Sequence, residues 1–156
     1  MKPELLSTEA AEKEWREFLE ENDATALLPN EALKDSADKT DRDTYISQKV
    51  NFDKIIKALT RGNVIISNGI ISQKLQYPIL DTENQPVHTE LVFDKRWTAK
   101  DRQEIYRGLD MNKTNEVMQI QARLCAKLTG IDTAILGKLD SRDQKVTDQI
   151  VNVFFM

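Results

Sequence analysis

The sequence predicts an α+β fold: a small antiparallel β-sheet, then a C-terminal helical subdomain, with a mobile acidic helical arm at the N-terminus. Three observations predict it. Asn68-Gly69 joins two short β-branched runs, Val64-Ile65-Ile66-Ser67 and Ile70-Ile71-Ser72-Gln73, and Asn-Gly is the strongest two-residue sign of a type I′ hairpin turn. Alternation continues at Leu75, Tyr77 and Ile79, and again at Val87, Thr89, Leu91 and Phe93. From Trp97 onward the apolar residues recur at helical spacing instead. Strands grouped with strands and helices with helices indicate α+β rather than a parallel sheet.

The elements follow in order. Ala11, Trp15, Phe18 and Leu19 fall at i, i+4, i+7 and i+8, one stripe of a helix that Ser7 or Thr8 can cap. Residues 34–44 are charged and without periodicity, and read as a linker. The boundaries expected are therefore 1–44 for the acidic arm with its linker and 45–156 for one α+β domain. Phe52, Ile55, Ile56 and Leu59 form a second stripe, with Asn51 as cap and Gly62 as stop. Pro78 places its strand at a sheet edge or in a bulge.

Thr98 and Asp101 open a helix carrying Ile105, Tyr106 and Leu109. Val117, Ile120, Leu124 and Leu128 mark the next, with Met118, Ala122 and Cys125 widening its buried face and Gly130 ending it. Asp132 opens a short turn with Ile135 and Leu139. Asp140 caps a last helix that turns Val146, Ile150, Val153 and Phe154 inward.

Composition bounds the function. A chain of 156 residues, 40% hydrophobic and 31% charged, suits one soluble domain and is neither disordered nor a membrane protein. The net charge of −4 gives no bulk attraction to a nucleic-acid backbone. The charge is uneven: residues 1–45 hold 6 basic and 13 acidic side chains, the remainder 16 and 13. No apolar run can span a bilayer, and the N-terminal residues lack the apolar segment of a signal peptide. A cytosolic protein without membrane or nucleic-acid partners is expected.

Chemistry-bearing motifs are sparse. Neither G-x-x-x-x-G-K-[ST] nor G-x-G-x-x-G can be written with the five glycines present. His88 and Glu90 share one strand face and read as an exposed pair rather than an acid/base couple. Cys125, on an apolar helix face, reads as a small buried hydrophobe. Asp41 with Asp43 reads as solvating, and Asp140 with Asp143 as a cap with its first turn; neither pair has a third ligand. Lys95, Arg96, Lys100 and Arg102 cluster around Trp97 at a helix entrance. No catalytic residue, cofactor or metal ligand is assigned, and the chain is expected to be no enzyme.

A surface argument remains. A helix of about 14 residues is marginal in water unless its stripe is packed. Trp15, Phe18 and Leu19 therefore dock on the body, on a second copy, or on a partner, and they are assigned as the partner-binding residues.

The C-terminal stretch carries a resemblance. Ala122-Arg-Leu124-Cys-Ala-Lys-Leu128-Thr-Gly130-Ile131, then Leu136-Gly-Lys-Leu139-Asp140, then Val146-Thr-Asp-Gln-Ile-Val-Asn-Val-Phe154-Phe155, is similar to the tail assembly chaperones of long-tailed bacteriophages. In that family a helix ending in Leu-Thr-Gly precedes a short turn, a Leu-Asp cap and a final helix closing on paired aromatics. The strands around Leu75–Ile79 and Leu91–Phe93 match in outline, so the resemblance covers about residues 72–155. It marks Leu124, Leu128, Gly130, Leu139, Asp140, Phe154 and Phe155 as core positions of the family. It implies a non-enzymatic chaperone in the host cell cytoplasm that binds the tape measure protein and recruits the tail tube protein, with homo-oligomers allowed. A structural tail or baseplate component retained in the virion is the alternative.

Overall fold

The computed structural model describes residues 6–110 and 112–154. It is α+β, with a three-stranded antiparallel sheet followed by helices, as expected. Phe155 lies outside the described residues.

Helix α1 (Thr8–Glu21) starts where Ser7 Oγ accepts the Ala10 N–H at 3.1 Å. Its stripe of Ala11, Trp15, Phe18 and Leu19 is buried as the spacing predicts. The stripe does not face solvent on a mobile arm, however. It packs into the core of the body, with Trp15 against Phe52 and Phe18 against Phe154 at ring-centroid distances of 5.3 and 6.2 Å.

The expected boundary at residue 45 is corrected as well. Helix α2 (Lys39–Val50) runs across it, and the stretch read as a linker folds. Asp38 caps α2 by accepting the Thr40 N–H at 2.8 Å. Ser36 donates to Asp41 at 2.7 Å, while Arg42 donates to the Ser36 and Ala37 carbonyls. Tyr45 is the one residue of α2 that is buried. Polar capping rather than an apolar stripe builds this helix, which is why periodicity misses it.

Helix α3 (Asp53–Thr60) buries Ile55, Ala58 and Leu59. Asn51 is not its cap but ends α2. The first amides of α3 are satisfied from the far end of the chain, where Gln149 Oε1 accepts the Lys54 and Ile55 N–H at 3.0 and 3.1 Å. At its C-terminus Gly62 N–H bonds to Leu59 and Asn63 N–H to Ala58, the paired closing bonds of a Schellman motif.

Strands β1 (Val64–Ser67), β2 (Ile70–Leu80) and β3 (Pro86–Phe93) form the sheet in that order. Ser67 pairs with Ile70 across Asn68-Gly69, whose φ angles of 52° and 74° are both positive as a type I′ turn requires. β1 pairs only with residues 70–73 of β2, so Pro78 lies where β2 has β3 alone as a neighbour, within an irregularity of that pairing. The register with β3 breaks between Lys74 and Ile79, which face Glu90 and His88. Val87 does not join Leu91 and Phe93 in the core: the hairpin runs past the body there, leaving Tyr77, Leu80 and Val87 exposed.

Helix α4 (Ala99–Tyr106) opens with the expected Thr98–Asp101 capping box. Helix α5 (Thr114–Thr129) buries Ile120, Leu124, Cys125 and Leu128, but Met118 and Ala122 are exposed and do not widen the core face. A one-turn helix α6 (Thr133–Leu136) leads to α7 (Ser141–Phe154), which buries Ile150, Val151 and Val153. The core lies between the inner face of the sheet and helices α1, α3, α5 and α7. Among the described residues no helix is long and apolar enough to cross a membrane.

Candidate functional site

Trp15, Phe18 and Leu19, expected to bind a partner, are only 2%, 1% and 0% exposed, so the chain itself is what they bind. No partner can reach them without displacing α1 from the body. The helix stripe signalled burial correctly, but it carries no information on what covers it.

The residues that carried the resemblance come together in the α5–α6–α7 unit. Leu124 and Leu128 are buried, and the α5 C-terminus closes on Gly130 in the left-handed conformation at φ 73°. The Lys95 N–H, just past β3, donates to the Leu128 carbonyl at 3.0 Å and ties sheet to helix. Leu139 packs half-buried on the core. Asp140 Oδ1 accepts the Arg142 N–H at 2.9 Å and so caps α7, while its two oxygens also receive the Arg142 guanidinium. Those hydrogen bonds hold the Asp140 carboxyl down at about 2. Arg142 in turn lies 3.7 Å above the Tyr77 ring centroid. Phe154 meets Phe18 edge-on.

Asp143 does more than support the first turn. It is buried, and its two carboxylate oxygens accept the Gln76 and Tyr77 N–H groups at 3.0 and 2.9 Å. The β2 bulge takes these amides off the ladder, so a carboxylate on α7 replaces the strand partner. Gln73 completes the contact by donating to the Asp143 carbonyl and accepting from Thr147 Oγ1 at 2.7 Å. Sequence spacing cannot reveal this latch, because both halves become polar partners only once the bulge exists.

The groups weighed for catalysis make no hydrogen bond with one another among the described residues. His88 faces Ile79 in the register and Glu90 faces Lys74. Burial and the nearby Asp148 charge push the Cys125 thiol up to about 12, which leaves it unionised and non-nucleophilic at neutral pH. Among the described residues no group of three His, Cys, Asp or Glu side chains could hold a metal ion.

Exposed large apolar side chains occur on the sheet, at Ile65, Ile70, Tyr77, Leu80 and Val87, and on α2. Ile46 and Val50, one turn apart on α2, are 58% and 55% exposed. They open onto a groove of about 440 Å³ shared with α1 and α3 and floored by Ile56. Glu12 and Asp53 supply carboxylates on its rim, and Lys49, Lys57 and Arg61 supply cations. The groove has the apolar centre and charged border of a surface for an amphipathic helix. Sequence periodicity misses it because residues 39–44 of α2 read as linker and residues 45–50, though within the expected domain, carry no recognised element.

Comparison of the chain with models of known protein families, with curated proteins and with solved structures finds no match.

Proposed function

We propose that the protein is a non-enzymatic tail assembly chaperone that binds a tape measure protein in the host cell cytoplasm and assists assembly of the tail tube protein around it. The reading rests on the resemblance over about residues 72–155, a stretch that runs from β2 through α7. The observation that carries the client-binding role is the α2–α3 groove. A chaperone for a long helical client must offer an apolar surface that stays soluble when empty, and Ile46 and Val50 meet that need within a charged border. This moves the client face from the buried Trp15 stripe to α2.

Co-expression with the cognate tape measure protein tests it. The unmodified chain should raise the client's soluble fraction and co-purify with it. Ile46→Lys with Val50→Glu should remove that gain while leaving the fold intact, since both side chains are solvent-facing. A client that stays insoluble with the unmodified chain refutes the chaperone reading. Finding the chain in purified virions would favour the structural tail component.

A further inference from the structure

A second recess lies between α5 and α7, closed at one end by α6, with a volume of about 200 Å³. Met118, Leu136 and Leu139 supply apolar wall, and this is where the exposed Met118 and Ala122 of α5 belong. Asp148 is the one carboxylate that lines it, and Cys125 is the only other titratable lining residue. The Asp148 carboxylate is half-buried and has no ion pair or hydrogen bond among the described residues. Burial alone raises its pKa.

A carboxylate withdrawn from water without donors costs free energy that a suitable guest recovers. The guest's chemistry follows from the walls. It needs a positive charge for Asp148 and a narrow apolar stem for Met118, Leu136 and Leu139. Gln121 and Gln144 also line the recess. Gln121 spends an amide N–H on Asn152 at 3.1 Å, which leaves its carbonyl oxygen open, and Gln144 makes no side-chain bond. The two Asp148 oxygens and the two amide oxygens thus offer four acceptors, enough for all three N–H donors of an ammonium group. A guanidinium brings five donors to the same four oxygens. A metal ion would find a single charged ligand.

We propose that the α5–α7 recess is a docking pocket for a lysine side chain presented by a partner polypeptide, with Asp148 as the counter-charge and Met118, Leu136 and Leu139 against its methylene stem. The pocket is separate from the α2–α3 groove and does not depend on the chaperone reading.

The test is an NMR titration of the full chain with N-acetyl-lysine methylamide, following backbone amides. Saturable shifts confined to residues 118–125 and 133–148 are expected, with a dissociation constant on the order of 1–10 mM, as suits one side chain. N-acetyl-norleucine methylamide has the stem without the charge, and should shift these amides little. Asp148→Asn, checked for an unchanged amide spectrum elsewhere, should weaken lysine binding about tenfold or more, the loss of one charge-assisted hydrogen bond. No saturable shift, equal binding of the norleucine compound, or full binding by Asp148→Asn overturns the proposal. Tighter binding of N-acetyl-arginine methylamide overturns the assignment to lysine.

Discussion

The Trp15 and Phe52 rings meet with centroids 5.3 Å apart and planes inclined at 57°, a tilted aromatic pair that joins α1 to α3. Phe18 stacks on the other side of Trp15, also at 5.3 Å. Removing this junction should be felt by the whole molecule. Trp15→Ala should cost about 3–5 kcal/mol, the usual range for deleting a buried aromatic. Trp15→Phe should cost far less, because it keeps a ring and removes an indole N–H that is buried without an acceptor. Deleting residues 1–44 takes away Ala11, Trp15, Phe18, Leu19 and Ala24 from the core together with the start of α2. The remainder should lose its cooperative thermal transition. A transition near that of the full chain would show that α1 is dispensable.

The Asp143 latch should be as sensitive as a core aromatic, though it contains no apolar atom at its contact. Its two oxygens serve the Gln76 and Tyr77 amides, and Asn offers one acceptor oxygen where the carboxylate offers two. Asp143→Asn should therefore strand one inward amide at a cost of about 1–3 kcal/mol. Hydrogen exchange gives the decisive measurement. The Gln76 and Tyr77 amides should lose protection before those of Ser72 and Lys74, which remain paired with Val92 and Glu90. Uniform loss across β2 would mean that Asp143 supports the whole strand rather than its bulge.

These two contacts show where reading the sequence succeeds and where it stops. Local signals were legible: the Ser7 cap, the positive φ pair at Asn68-Gly69, the Thr98 capping box and the Asp140 cap each involve partners within a few residues. The buried stripe of α1 was legible too, but not its counterpart, because Phe52 and Phe154 are brought to it only by the fold. Gln149 capping α3 joins residues 94 and 95 positions apart, and no local pattern announces it. Helix α2 escaped because polar capping, not apolar periodicity, defines it. Its exposed Ile46 and Val50, the strongest candidates for a client surface, escaped with it.

Gly130 sets the length of α5. Its N–H bonds to the Ala126 carbonyl at 2.8 Å while φ is 73°. A Cβ there would lie 3.2 Å from Cε of Lys95, a flexible atom that can withdraw, so the steric part is small. The left-handed backbone decides the outcome. Gly130→Ala should destabilise by about 1–2 kcal/mol in denaturant unfolding, and Gly130→Asn by less, because Asn tolerates that conformation. Equal losses for the two would point to the Lys95 contact instead.

Asp148 makes the opposite prediction, a substitution that stabilises. Burial raises its carboxyl pKa in the folded state, with no donor bonded to it to offset the loss of water. A raised carboxyl means that the unfolded chain holds the ionised form more readily than the native one. The resulting penalty is fully present above the folded-state pKa. It fades as pH falls through that value, and is gone below the unfolded carboxyl value of about 3.9. Asp148→Asn should therefore raise the unfolding midpoint at pH 7 and should match the unmodified chain near pH 3. The neighbouring Cys125 thiol supplies an independent check, because the Asp148 charge adds to the burial that pushes it up to about 12. In Asp148→Asn that thiol should ionise at lower pH, read from thiolate absorbance in a chain kept folded. A destabilised Asp148→Asn at neutral pH would mean that its carboxylate already has a partner, and the α5–α7 recess would then lack the open charge its ligand requires.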